Sequence, residues 1–493
     1  MDRGAGVLLH ISSLPSKYGI GDFGSTAFRF IDFLHENNFK YWQILPLGVT
    51  GFGNSPYQTL SAFGGNPLFI DLENLIQLNL ISKKDIPNII FSETQVDYDK
   101  VKIFKEQIFK IAFENFYKTN DEKFLLFIKK NSFWLDNFSL FLTLKENFSY
   151  NPWKSWPKKY KFHSKKDIQY VLKKYSKDIL YQKFLQYLFH SQWDNIKKYA
   201  HEKNIKIIGD IPFYVSGDSS DTWRYTKYFS YNKYKKITKV GGVPPDNFSK
   251  NGQLWGMPTY NWKSLKKHNY LWWKERIKYS FKLYDIIRLD HFRGFESFWS
   301  ISSKSKTAKN GEWCTGPNFD FFNSLRKDLN TDNTIAEDLG FLTSNVKKLL
   351  NKTNFPGMNI LEFAFDFNEN NQYLPHKFIK NSVSYIGTHD NQTFEEWRES
   401  LSEELKNYSK EYLKNFIKDF SEENIYALMV KSLLVSDSNV VIFQMQDLLS
   451  LGKFARMNTP GTTINNWIWM LENNYENNIN LNYKELITKY SRI

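Results

Sequence analysis

Three acids at the ends of short apolar runs are the residues of this sequence best placed to do chemistry. Asp290 closes the run 285–290, Glu337 follows Asn333-Thr334-Ile335-Ala336, and Asp390 follows the run 382–387 after Thr388 and His389. Side chains of an extended run alternate between two faces. Ile286, Arg288 and Asp290 therefore share one face, and Ile287 and Leu289 the other. An arginine on the same face offsets the cost of burying a carboxylate, and an ionised carboxylate is what a nucleophile requires. A structural ion pair at a strand end accounts for this stretch equally well. Acids that cluster raise one another's pKa. One charged and one protonated carboxyl group are the equipment for cleaving or transferring a glycosidic bond. Asp210, ending the run 205–210, is either a fourth member or an acid that orders its own loop.

These acids need elements to bring them together. Apolar runs of strand length begin near residues 7, 41, 205, 285, 333, 358, 382 and 440, separated mostly by segments with helical spacing. Alternation of that kind predicts an α/β fold, a (β/α)8 TIM barrel in one catalytic domain over residues 1–493. Barrel sites form at the C-terminal ends of the strands, so Asp290, Glu337 and Asp390 would share one mouth. The pattern from 72 to 191 is helical and predicts a subdomain inserted after the second strand. Residues 215–262 are dense in Gly, Pro and aromatics and predict a loop-rich insertion over the site, since long loops in compact enzymes usually carry function. A helix is expected over 25–37, capped by Ser25 or Thr26. No Walker loop, dinucleotide fingerprint or zinc-type Cys/His spacing occurs.

Composition narrows the class further. The chain has 493 residues, a net charge of +14 and 18% aromatics. Flat rings in this abundance suit stacking on sugars or bases as well as a core. The basic excess lies in Lys-rich runs, 158–177 and 227–239, interleaved with Tyr and Phe. Such runs suit a polyanion, but a solvated Lys-rich surface accounts for them, and no nucleic-acid partner is expected. The one cysteine, Cys314, has no partner for an internal disulfide or for paired metal ligation. No apolar stretch is long enough for a membrane span, and Met1-Asp2-Arg3-Gly4 does not resemble a secretory signal. A cytoplasmic protein without membrane partners is expected. Neither metal nor organic cofactor is implied, because side chains supply acid, base and nucleophile.

The motifs, taken in order, resemble those of the 4-α-glucanotransferases (amylomaltase, disproportionating enzyme) of the α-amylase clan. They include Ser55-Pro56-Tyr57-Gln58, Gly209-Asp210-Ile211-Pro212, Gly252-Gln253-Leu254-Trp255-Gly256, the run 288–294, Ala336-Glu337-Asp338-Leu339-Gly340, Gly387-Thr388-His389-Asp390-Asn391 and Arg456-Met457-Asn458. The likeness covers nearly the whole chain. It implies a maltooligosaccharide or other α-1,4-glucan as substrate, with Asp290 as nucleophile, Glu337 as general acid/base and Asp390 as the carboxylate that stabilises the transition state. Arg288 would hold the nucleophile ionised, His389 would hydrogen-bond the donor sugar, and Tyr57 would stack beneath it. His291, Asp210 and Asn458 are further expected sugar contacts. Asp246, Phe248, Gln253 and Trp255 match a loop over the acceptor side, and Phe52 and Tyr98 a more distant glucan-contact surface.

Departures from the family pattern fall outside the three acids. Phe52 stands where some relatives carry Tyr, Met257 where Asn is expected and Met470 where Arg is frequent. The expected reaction is a retaining double displacement through a covalent glucosyl-Asp290, which needs the two carboxyl groups about 5–5.5 Å apart. A retaining α-glucan hydrolase using the same acids is the alternative. A catalytically inactive glucan-binding barrel is a more distant one.

Overall fold

A computed structural model describes residues 1–119, 121–245, 249–340, 342–418 and 424–493. Its centre is a sheet of eight parallel strands: β1 (Gly4–Leu8), β2 (Tyr41–Gln43), β3 (Lys206–Ile211), β4 (Ile286–Leu289), β5 (Thr334–Ala336), β6 (Gly357–Ile360), β7 (Ser382–Tyr385) and β8 (Val440–Gln444). Each strand pairs with its sequence neighbour except β5 with β6, and β8 pairs with β1 in the register Gly4↔Val440 to Leu8↔Gln444. The Ala336 N–H donates to the Pro356 carbonyl at 2.9 Å and closes the ring between β5 and β6. The protein is a (β/α)8 barrel. Helices cover its outer face, so β-runs such as Val-Val-Ile-Phe-Gln in β8 are buried at every position.

The helix Ser25–Glu36 shows how a connection is fixed. Ala27, Phe30, Ile31, Phe33 and Leu34 form its buried stripe. Its N-cap is Gly24, not Ser25 or Thr26, and Asp22 accepts the Gly24 N–H at 3.0 Å. The helix has no side-chain cap, and Asp22 instead orders the turn that leads into it.

Between β2 and β3 the chain runs through helices including Tyr98–Phe116, Glu122–Asn147 and Ser176–Glu202. The last of these leads into β3, and its C-terminal half matches the amphipathic helix expected over 182–204. It is anchored to the barrel wall by Trp193, whose indole N–H donates to the Leu283 carbonyl at 3.0 Å. The stretch 215–262 is more regular than its composition suggests. Strands Lys239–Val243 and Gln253–Pro258 pair with each other, and Lys239–Val243 also pairs with Ser297–Ser302, which pairs with Gly311–Thr315. The result is a four-stranded antiparallel sheet beside the barrel mouth. No helix among the described residues is long and apolar enough to cross a membrane.

Inward and outward faces alternate along β3. Asp210 pairs in register with Arg288 of β4, while a Cβ at the preceding Gly209 would lie 2.2 Å from the Tyr284 ring. Gly209→Ala should therefore overpack this contact and destabilise the fold by about 1–3 kcal/mol. Chemical denaturation measures the shift in midpoint.

Candidate active site

The barrel carries the three expected acids to its C-terminal mouth. Asp290 follows β4 directly, Glu337 follows β5, and Asp390 lies in the turn after β7. Beneath them Arg288 and Asp210 project from adjacent strands into the barrel and form a buried ion pair of 2.6 Å. The same guanidinium nitrogen lies 3.3 Å from Asp290 Oδ1. The Phe213 N–H donates to the other Asp290 oxygen at 3.4 Å. Asp290 thus has a fixed cation below it and a partly open carboxylate, 28% exposed, above.

Glu337 is held by backbone. The His291 N–H donates to Glu337 Oε2 at 2.7 Å and the Leu339 N–H to Oε1 at 3.0 Å. His291 adopts φ 47°, in the left-handed region, where the chain turns out of β4. The donor to Glu337 therefore belongs to the residue directly after Asp290, and the two acids are neighbours. Burial pushes the Glu337 carboxyl up to about 8; Asp290 adds to this, against the opposing pull of Arg288 and the two N–H donors. Burial likewise raises Asp210, opposed first by the Arg288 charge.

Aromatic and imidazole rings line the other side. The Tyr57 hydroxyl donates to Asp210 Oδ2 at 2.8 Å, and its ring stacks on His389 with centroids 5.2 Å apart and planes 9° from parallel. His389 Nε2 lies 3.5 Å from Asp390 Oδ2, and the Asn458 amide donates to Asp390 Oδ1 at 2.7 Å. Burial depresses the pKa of His389 and brings that of His291 down to about 4. A neutral imidazole offers one donor and one acceptor, a match for sugar hydroxyls. Both ring nitrogens of His389, Nε2 of His291 and Oδ1 of Asp210 are buried without a hydrogen bond in the protein.

A profile of the 4-alpha-glucanotransferase family matches residues 9–475. A 4-alpha-glucanotransferase of Clostridium butyricum is 46% identical over 94% of this chain and 96% of its own length. One from Streptococcus pneumoniae is 41% identical over 100% and 98%. The chain belongs to the 4-alpha-glucanotransferase family. Among solved structures, the Streptococcus agalactiae amylomaltase, in complex with acarbose, superposes with a TM-score of 0.94 at 38% identity, covering 99% of both chains. The Corynebacterium glutamicum amylomaltase, at 16% identity and a TM-score of 0.76, shares the fold over 100% of this chain and 75% of its own.

The remaining expected contacts of this family member divide. Trp255 packs edge-on against His291 at 5.0 Å, and its indole N–H donates to Gln253 at 3.1 Å, so both stand at the mouth. Phe52 is 79% exposed on the loop that leads to Tyr57. Asp246 and Phe248 lie outside the described residues. Tyr98 differs from expectation. It begins the helix Tyr98–Phe116, is buried, and spends its hydroxyl on the Trp467 carbonyl at 2.9 Å, so its ring packs largely in the core. Two residues to which the sequence assigned no role also reach the site. Trp467 packs 5.9 Å from Tyr57, and Arg456 donates to the Asp390 carbonyl at 3.3 Å. Their nearness to Asn458 in sequence was the available signal. Among the described residues no group of three or more His, Cys, Asp or Glu side chains is arranged to hold a metal ion.

Arg288→Ala should cost about 3–5 kcal/mol, because Asp210 stays behind as a buried, unpaired acid. Urea denaturation measures it.

Proposed function

We propose that this chain is a 4-α-glucanotransferase that moves a segment of an α-1,4-glucan to the 4-hydroxyl of another by retaining double displacement. Family membership supports the transfer reaction, and the acid pair supports the chemistry. The observation that carries it is the contrast between neighbouring carboxyl groups. Glu337 is kept protonated near neutral pH by burial, while Asp290 has the Arg288 guanidinium 3.3 Å away.

In the first half-reaction Glu337 gives its proton to the glycosidic oxygen as an Asp290 oxygen bonds to the anomeric carbon. The bond to the leaving glucan breaks and a glucosyl-Asp290 ester remains. In the second, Glu337 takes the proton of an incoming 4-hydroxyl, whose oxygen displaces Asp290. Asp390, presented by Asn458 and His389, stabilises the positive charge that develops on the sugar ring between these states. Tyr57 stacks beneath the donor sugar, and the neutral imidazoles of His389 and His291 bond its hydroxyls. Transfer needs a sugar hydroxyl to outcompete water. Gln253 and Trp255 over His291 form the wall that shields the intermediate and receives the acceptor.

The proton donor is lost as pH rises through the pKa of Glu337, so kcat/KM should fall on an alkaline limb near pH 8. Glu337→Gln should abolish turnover together with that limb; a limb unchanged in position and origin would reassign the acid. Asp290→Asn should likewise abolish turnover. Incubation of the native enzyme with maltotriose should yield glucose and longer maltooligosaccharides. Maltose and glucose alone would identify a hydrolase.

A further inference from the structure

The proposed stabilising carboxylate, Asp390, has a side chain 48% exposed at the mouth. Its own turn bonds it weakly, through a 3.4 Å contact from the Asp390 N–H to the Thr388 hydroxyl and a 3.5 Å approach of His389 Nε2 to its carboxylate. Its orientation comes instead from a segment far along the chain. Arg456 reaches over from the loop after β8 and makes three different contacts. Nε donates to the Asn458 carbonyl at 2.9 Å, one terminal nitrogen donates to the Asp390 carbonyl at 3.3 Å, and the other faces both Glu396 oxygens at 3.4 and 3.5 Å. Glu396 lies in the helix Phe394–Ser400, which begins just after the Asp390 turn. Both charged side chains are largely covered, 17% and 11% exposed.

A planar guanidinium with donors in a fixed fork suits this task in a way a lysine ammonium does not. It ties together the main chains of Asp390 and Asn458, and the side chains of those two residues then meet at 2.7 Å.

We propose that Arg456 is a positioning residue for the transfer reaction, held in place by Glu396, that sets the Asp390–Asn458 contact from behind. The inference rests on the reading of Asp390 as the stabilising carboxylate. Arg456 itself acts through the two main chains and is not placed on the reacting atoms. An interaction expressed only in the transition state lowers kcat and kcat/KM together. A misplacement of about 1 Å costs on the order of 100-fold in rate.

The test measures kcat and KM on maltotriose, and the melting temperature, for R456A, R456K, E396Q, N458A, R456A/N458A and D390N. R456A should lose on the order of 100-fold in kcat with KM nearly unchanged, R456K should recover part of that loss, and E396Q should show a smaller one. The double variant should lose no more than the worse of its two singles, since both act on one contact. A lowered melting temperature with native kcat per folded molecule, or fully additive losses, would overturn the proposal. Arg456 is also the cation that opposes the upward shift of Glu362, an acid raised by burial and then by Asp447. R456A therefore risks misfolding, and in that event R456K and E396Q decide: native kcat in both rejects a positioning role. D390N separates the two readings. Native turnover in D390N removes the role of Asp390 itself, whereas an inactive D390N beside fully active R456K and E396Q removes only the part assigned to Arg456.

Discussion

The arrangement depends on one buried charge. Arg288 sits inside the barrel with Asp210 on one side and Asp290 on the other, at 2.6 and 3.3 Å. A guanidinium there would be costly alone, and so would either carboxylate. Together they are tolerable, and the residual imbalance of two acids to one cation is felt by everything above. Glu337, within the field of both Arg288 and Asp290, is left as the acid that burial can keep neutral. Tyr57 and His389 inherit their places from the same centre, because the Tyr57 hydroxyl ends on Asp210.

Barrel geometry supplies the convergence. Asp210 and Tyr57 are 153 residues apart and Asn458 and Asp390 are 68 apart, yet each pair is in hydrogen-bond contact. Parallel strands in register place successive strand ends on one rim, so residues at or just beyond the ends of β3, β4, β5 and β7 gather there. Loops then add what the rim lacks: Tyr57, Trp255 and Asn458 approach from three separate connections.

Much of this was legible in the sequence, for a physical reason. Strands buried on both faces must be apolar throughout, and helices on a core must be striped, so the eight strands were readable, β8 to the residue. The acids stood out because a charge at the end of an apolar run is unusual. What could not be read depended on partners far away. The segment Lys-Val-Gly-Gly-Val at 239–243 has neither strong strand propensity nor alternation, and becomes a strand because it lies between 253–258 and 297–302. Tyr98 looks like any surface tyrosine until a carbonyl 369 residues away receives its hydroxyl. Arg456 gains meaning only when the barrel sets the Asp390 turn beside it.

Glu337 is tethered to the peptide N–H one position past Asp290. In the proposed mechanism the gap between proton donor and attacking oxygen is thus inherited from two adjacent strands of the scaffold, while the glucan contacts come from the connections around them. Under the proposed mechanism, changes in those connections would alter which chain lengths this enzyme takes and leave the anomeric outcome to the scaffold.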